Sequence, residues 1–171
     1  MSMLQAAGKT IELRPYGPGD RVWLVRQHAE LYARDEGFDA TFGALVESIL
    51  KDFEANHDPA RERGWIACDG PVRLGSIFCV DAGEADGEAV AKLRLFLLLP
   101  EARGRGLGQR LLDTCMGFAR DVGYSRMTLW THESHRAACA LYARNGFSLV
   151  SSVPVTSFGV RLVEQHWERA I

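Results

Sequence analysis

The chain has 171 residues, 47% of them hydrophobic and 25% charged, with a formal net charge of −2. That length supports one ordinary core rather than two full ones, and the weak negative charge excludes the electrostatic footprint of a nucleic-acid or acidic-membrane binder. Cysteines at 68, 79, 115 and 139 form no C-x-x-C pair and no His/Cys metal spacing, so they read as buried free thiols and no metal is expected. The opening MSMLQAAGKT lacks a basic stretch followed by a long apolar core, and no apolar run approaches a membrane span. A cytoplasmic protein is expected.

Residues 1–9 read as a tail. Ile11 to Arg14 alternates as a short strand and runs into Pro-Tyr-Gly-Pro-Gly-Asp, a loop. Asp20 is a candidate cap for a helix whose apolar surface is Val22, Trp23, Val25, Ala29 and Tyr32. Asp39 opens a second helix with a stripe at Phe42, Leu45, Val46, Ile49, Leu50 and Phe53, ended by Asn56-His57-Asp58-Pro59. Strands follow at Trp65 to Cys68 and Val72 to Val80, joined by Asp69-Gly70, a hairpin signal. Asp81 to Glu88 reads as an acidic loop leading to a central strand.

In that strand, Leu93 to Leu97 nearly alternates while Leu95 to Leu99 is unbroken, which predicts a half-exposed start and an end covered on both faces. Pro100 stops the ladder. A helix from Leu107 carries Leu111, Leu112, Cys115, Met116 and Ala119 on one stripe, with Gly123 at its C-terminal cap. Met127 to Trp130 is a strand. Ser134 is a candidate cap for a helix holding Ala138, Leu141 and Tyr142 that ends at Asn145-Gly146. Phe147 to Val153 and Val160 to Trp167 are strands around a loop from Pro154 to Gly159. The order β-α-α-β-β-β-α-β-α-β-β, without repeat or linker, predicts a single α/β unit with a mixed sheet over 10–171.

Between the central strand and its helix stands Arg103-Gly104-Arg105-Gly106-Leu107-Gly108. Glycines there permit positive φ and leave no Cβ between backbone N–H groups and a ligand. The first N–H groups of a helix lack intrahelical partners and carry its positive dipole end, which suits an anion and above all a phosphate. Arg103 and Arg105 add charge. The P-loop pattern needs Lys and Ser/Thr where Gln109-Arg110 stand. The dinucleotide fingerprint needs G-x-G-x-x-G early in its domain, whereas these glycines are spaced G-x-G-x-G halfway along.

Arg103, Gly106 and Gly108 resemble, in register, the acetyl-CoA loop of the Gcn5-related N-acetyltransferase (GNAT) superfamily: Arg or Gln, two residues, Gly, one residue, Gly or Ala. The superfamily's later signature, Asn-x-x-Ala-x-x-Leu-Tyr followed by Gly-Phe, is matched by Ala138, Leu141, Tyr142, Gly146 and Phe147, with His135 in place of Asn. The resemblance covers about Thr10 to the C-terminus. It implies a mixed, mostly antiparallel sheet with helices on both faces, opened where two parallel strands diverge, and an N-acetyltransferase domain at 10–171. The match is also similar to acetyltransferase domains fused behind winged-helix regulators, although the domain leaves no room here for a DNA-binding segment.

The implied activity is transfer of acetyl from acetyl-CoA to a primary amine of a small molecule, peptide or protein. The loop from Arg103 to Gln109 (Arg103, Gly104, Arg105, Gly106, Leu107, Gly108 and Gln109) would anchor the pyrophosphate, chiefly through its backbone. Leu97, Leu98 and Leu99 would pair with the pantetheine arm, and the N–H of Leu98 would polarise the thioester carbonyl. His135 would share the cofactor hydrogen bonding of the usual Asn. Tyr142 would be the general acid, since a phenol of pKa near 10 can share a proton with a thiolate of pKa near 8.5. Many relatives carry a basic Glu where Lys92 stands; Glu133, His132, His135, Glu84 and Glu88 are substitutes, or a water chain or an already neutral amine serves. Trp23, Tyr32 and Phe38 are candidates for the acceptor site, and the acidic loop from Asp81 to Glu88 fits a cationic amine or equally a solvated turn. Members often dimerise, and the last strands offer an edge for it. The alternative from another class is a non-catalytic acyl-CoA-binding sensor or interaction module.

Overall fold

A computed structural model describes residues 10–171, so the tail at 1–9 lies outside the described residues. The elements are β1 (Glu12–Pro15), α1 (Arg21–Glu36), α2 (Ala40–Asn56), β2 (Arg63–Asp69), β3 (Val72–Ala85), β4 (Glu88–Leu98), α3 (Leu107–Asp121), β5 (Arg126–His132), α4 (Arg136–Arg144), β6 (Ser148–Ser157) and β7 (Val160–Ala170). The predicted order holds. The strands form one seven-stranded sheet in the order β1-β2-β3-β4-β5-β7-β6, with β4 and β5 parallel and the other neighbours antiparallel.

Side-chain alternation divides the core into two layers. Trp65, Ala67, Ile77, Cys79, Met127 and Leu129 meet the stripe of α3 (Leu107, Leu111, Leu112, Cys115, Met116, Ala119) and Leu141 and Tyr142 of α4. Ile66, Cys68 and Phe78 face the opposite way, onto Leu24 and Leu31 of α1 and Val46 and Leu50 of α2. Helices therefore cover both faces, as the period-2 pattern of fully buried strands requires.

Leu95 interrupts the alternation of β4. Its φ is +49°, and the register with β3 shifts between Ser76 and Phe78: one extra residue is accommodated in β4 as a β-bulge. The Ser76 hydroxyl, fully buried, donates to the Leu95 carbonyl at 2.6 Å and fixes it there. Before the bulge Ala91 and Leu93 face the α3 layer; after it Leu97 and Leu99 face the α1/α2 layer. One residue of slip has exchanged the faces.

Several boundaries differ from expectation. Asp81 to Ala85 is strand rather than loop, because Asp86-Gly87, with φ of +52° and +77°, forms a tight hairpin turn into β4. Pro154 lies inside β6 rather than in a loop, which an edge strand tolerates because one side of its ladder is unpaired. On α1, Val22 is 68% exposed, and the buried stripe is Leu24, His28 and Leu31. Leu45 of α2 is likewise exposed. Cys139 is half-buried, unlike the other three free thiols.

Asp20 precedes α1 but does not cap it with its side chain. Its carboxylate instead accepts from Arg14 at 2.7 and 2.8 Å, from Arg73 at 2.8 Å and from the Gly17 N–H at 2.9 Å. Burial alone would raise its pKa, but the hydrogen bonds from Arg14, Gly17 and Arg73 outweigh that and hold the carboxyl well below the usual carboxylate range. Asp20→Ala is expected to cost about 2 kcal/mol, since it removes charge-assisted hydrogen bonds from two guanidinium groups that stay partly exposed. Because the folded pKa is depressed, Asp20 stabilises the fold fully above its unfolded pKa near 4 and loses that effect as pH falls towards the folded value. Urea denaturation of wild type and Asp20→Asn from pH 6 down to 2 checks this: the gap between them should close with acid.

Candidate active site

The site follows from where β4 and β5 part. They share three rungs, Val90 with Arg126, Ala91 with Met127 and Lys92 with Thr128. Beyond them β5 continues against β7, while β4 continues against β3 through the bulge to Leu98. The gap opens into a cleft of about 700 Å³ between β4, the start of α3, the start of α4 and the last turns of α1.

On the β4 wall, Ser76 faces Leu97 and Gly75 faces Leu98, and the Leu99 N–H donates to the Leu74 carbonyl at 2.9 Å. Antiparallel pairing alternates inward and outward backbone groups, so Leu97 and Leu99 are turned to β3 while the backbone groups of Leu98 and Phe96 are turned to the gap. The expected three-residue contact at Leu97, Leu98 and Leu99 is thereby narrowed: Leu99 is buried outside the cleft, its N–H taken. Gly75 supports this wall. A Cβ there would lie 2.4 Å from the Leu97 carbonyl oxygen. Gly75→Ala is expected to cost about 2 kcal/mol and to lower Tm by roughly 4–8 °C, measurable by calorimetric melting.

At the floor, Gly104 and Gly106 take φ of +78° and +72°, and Gly106 stands immediately before α3. Among the described residues, the backbone N–H groups from Gly104 to Gln109 find no acceptor; they converge at the positive end of a 15-residue helix. A Cβ on Gly108 would point at Leu141, Phe96 and Leu98 at 3.7 to 4.0 Å, so its absence leaves room in the cleft. Arg103, Arg136 and Arg144 line the cavity and make no hydrogen bond or ion pair among the described residues. Arg105 is exposed and does not line it. The Gln109 side chain is engaged by Asn145 at 2.7 and 3.0 Å, so this residue offers only its N–H. This floor fits a polyanion.

Tyr142 does not line the cleft as expected but sits behind it, 4% exposed, among Phe96, Phe147 and Trp167 with ring centroids at 6.3, 5.7 and 6.5 Å. Its hydroxyl has no partner among the described residues. Burial, then the nearby Tyr32, raises its pKa above the ordinary tyrosine range.

The remaining candidates separate. His135 lines the cleft, 3.2 Å from Glu36. Ser134 is not the helix cap; its hydroxyl donates to Glu36 at 2.7 Å. His132 packs against Phe38, its Nδ1 sealed without a partner. Lys92 is half-buried at the last shared rung, its pKa lowered by burial and by Arg94. Glu84 and Glu88 belong to the far hairpin, and Glu133 is exposed. Of the aromatic candidates, Tyr32 lines the cleft and Phe38 is buried beside it, whereas Trp23 lies under Arg73 at another edge.

The splayed parallel pair, the outward-turned backbone of β4 and the unpaired amides before α3 are the arrangement implied by the acetyltransferase resemblance, and the family model for the Acetyltransferase (GNAT) family matches residues 24–147. The chain belongs to the GNAT family. A mycothiol acetyltransferase from Geodermatophilus obscurus is 34% identical over 77% of this chain, which spans 42% of that relative's length. A Gcn5-related N-acetyltransferase from Kribbella flavida superimposes with a TM-score of 0.71 at 22% identity, covering 94% of this chain and 98% of that one. The Salmonella typhimurium yncA structure, solved with its cofactor acetyl-CoA, gives a TM-score of 0.70 at 17% identity, with 94% and 93% covered. At those identities the structures establish the fold.

Within this GNAT fold the sequence reading missed Phe96, whose backbone shares the open edge with Leu98, and Glu36, which joins the end of α1 to the start of α4. Arg136 and Arg144 were missed too, although their spacing of two helical turns on one face was a visible signal.

Proposed function

We propose that this chain transfers an acetyl group from acetyl-CoA to a primary amine. The observation that carries the reading is the joint placement of unpaired N–H groups from Gly104 to Gln109 and the opened edge of β4 along one cleft. The amides, with Arg103, Arg136 and Arg144 beside them, receive the cofactor phosphates. The outward backbone groups of Phe96 and Leu98 pair with the pantetheine amides, as a further strand would. An N–H of that edge, Leu98 first, polarises the thioester carbonyl as negative charge develops on its oxygen. The Tyr142 phenol, kept protonated by burial, gives its proton to the departing thiolate. No step of this scheme calls on a metal.

Among the described residues no helix is long and apolar enough to cross a membrane. We further propose a cytoplasmic site of action, the compartment in which four free cysteines such as these stay reduced.

Calorimetric titration with acetyl-CoA, CoA and ATP tests the cofactor assignment, followed by thiol release from acetyl-CoA across a panel of primary amines. Binding of acetyl-CoA and CoA well above ATP is expected. Failure of acetyl-CoA to bind would overturn the reading, and binding without thiol release from any amine would favour the sensor alternative.

A further inference from the structure

Lys92 cannot act as a base in its charged form, yet a proton must leave the attacking amine. The end of α1 supplies an arrangement for it. Glu36 is 13% exposed and both its oxygens are engaged, Oε1 by His135 Nε2 at 3.2 Å and Oε2 by the Ser134 hydroxyl at 2.7 Å. Glu36 and His135 meet at ion-pair distance, and a carboxylate beside one imidazole nitrogen favours the proton on that nitrogen and the lone pair on the other. His135 Nδ1 has no partner among the described residues, and the ring lines the cleft.

The Tyr32 ring is 4.9 Å from His135. His135 is the N-cap residue of α4, and Tyr142 lies within the helix it opens.

Building on the acetyl-transfer reading, we propose that His135 is the general base of the reaction and that Glu36, itself held by Ser134, is the residue that positions it. The lone pair of His135 Nδ1 takes the proton from the amine nitrogen as the C–N bond forms and the thioester C–S bond breaks. The thiolate takes the Tyr142 proton, and solvent returns the proton from His135 to Tyr142. The groups facing the imidazole are Glu36, Asp35 and Tyr32 from α1, His132 from β5 and Arg103 from the loop before α3. Burial lowers the His135 pKa against the pull of Glu36 and Asp35, with Arg103 adding to the lowering. The lowering favours the neutral, basic form of the ring.

The test has two arms. Nitrogen-15 NMR of the imidazoles in wild type and Glu36→Gln reads the tautomer without needing an acceptor. The Nε2–H form is expected for His135, with a pKa below the ordinary histidine value that falls further in Glu36→Gln. An Nδ1–H form, or a pKa indifferent to Glu36, overturns the proposal. With the amine giving the fastest thiol release, His135→Asn should lose about 100-fold in kcat and the acid limb of its pH profile, with acetyl-CoA affinity within roughly threefold. Added imidazole should partly restore His135→Ala. An unchanged acid limb in His135→Asn also overturns it. If acetyl-CoA fails to bind the wild type, the acetyl-transfer reading falls instead, on a separate measurement.

Discussion

Tyr142→Phe is expected to lower kcat for thiol release by about 100- to 1000-fold, the range removed when a positioned general acid is lost. Acetyl-CoA affinity should stay within roughly twofold, because among the described residues the hydroxyl makes no hydrogen bond that its removal would break. The ring itself packs with Phe96, Phe147 and Trp167, and Phe keeps those contacts, so the melting temperature should hardly move. Few positions allow so clean a separation of chemistry from packing. Steady-state kinetics across pH, calorimetric titration and a thermal melt on one preparation check it. Equal turnover for the two proteins at every pH removes Tyr142 from the proton path.

Gly108→Leu is expected to weaken acetyl-CoA binding by at least about 100-fold while making the apo protein more stable. In the first turn of α3, a residue with a Cβ gains roughly 0.5–1 kcal/mol of helix propensity over glycine. The new Cβ meets Leu141, Phe96 and Leu98 at ordinary contact distance, so the backbone need not shift. The rest of the side chain extends into the space between the floor and the outward edge of β4. Gly108→Ala adds only the Cβ and should bind nearly as wild type. Opposite movements of stability and affinity in the Leu variant would place the cofactor against this turn. A Leu variant that binds normally places it elsewhere.

Local chemistry decided what could be read from the sequence. The stripe of α3 and the glycines from Gly104 to Gly108 were legible because helical period and backbone freedom are properties of neighbouring residues. The stripe of α1 was misjudged because His28 looks polar. Inside the core its Nδ1 donates to the Leu24 carbonyl at 2.9 Å and burial lowers its pKa to about 4, so it behaves as a neutral aromatic. The Asp86-Gly87 turn carried a hairpin signal as good as Asp69-Gly70 but was obscured by the acidic residues around it. Glu36 could not be found from pattern at all: its meaning comes from Ser134 and His135, brought to it where the turn before α4 meets the end of α1. The bulge at Leu95 was hidden for a related reason. An unbroken run of leucines and phenylalanine looks the same whichever face each residue takes.

That run behaves like a reading frame. Up to Leu93 the odd-numbered side chains of β4 belong to one layer, and from Leu97 onward they belong to the other. Removing Leu95 would set Phe96 opposite Ile77 and restore a regular strand, with Leu97 and Leu99 still in the α1/α2 layer and Phe96 and Leu98 still in the other. Leu95, held at positive φ, costs on the order of 1 kcal/mol for its conformation, and substitution by Gly would relieve that cost without altering the count. The bulge therefore inserts a residue without changing which layer its neighbours enter, and it does so just past the last rung that β4 shares with β5, where the cleft begins.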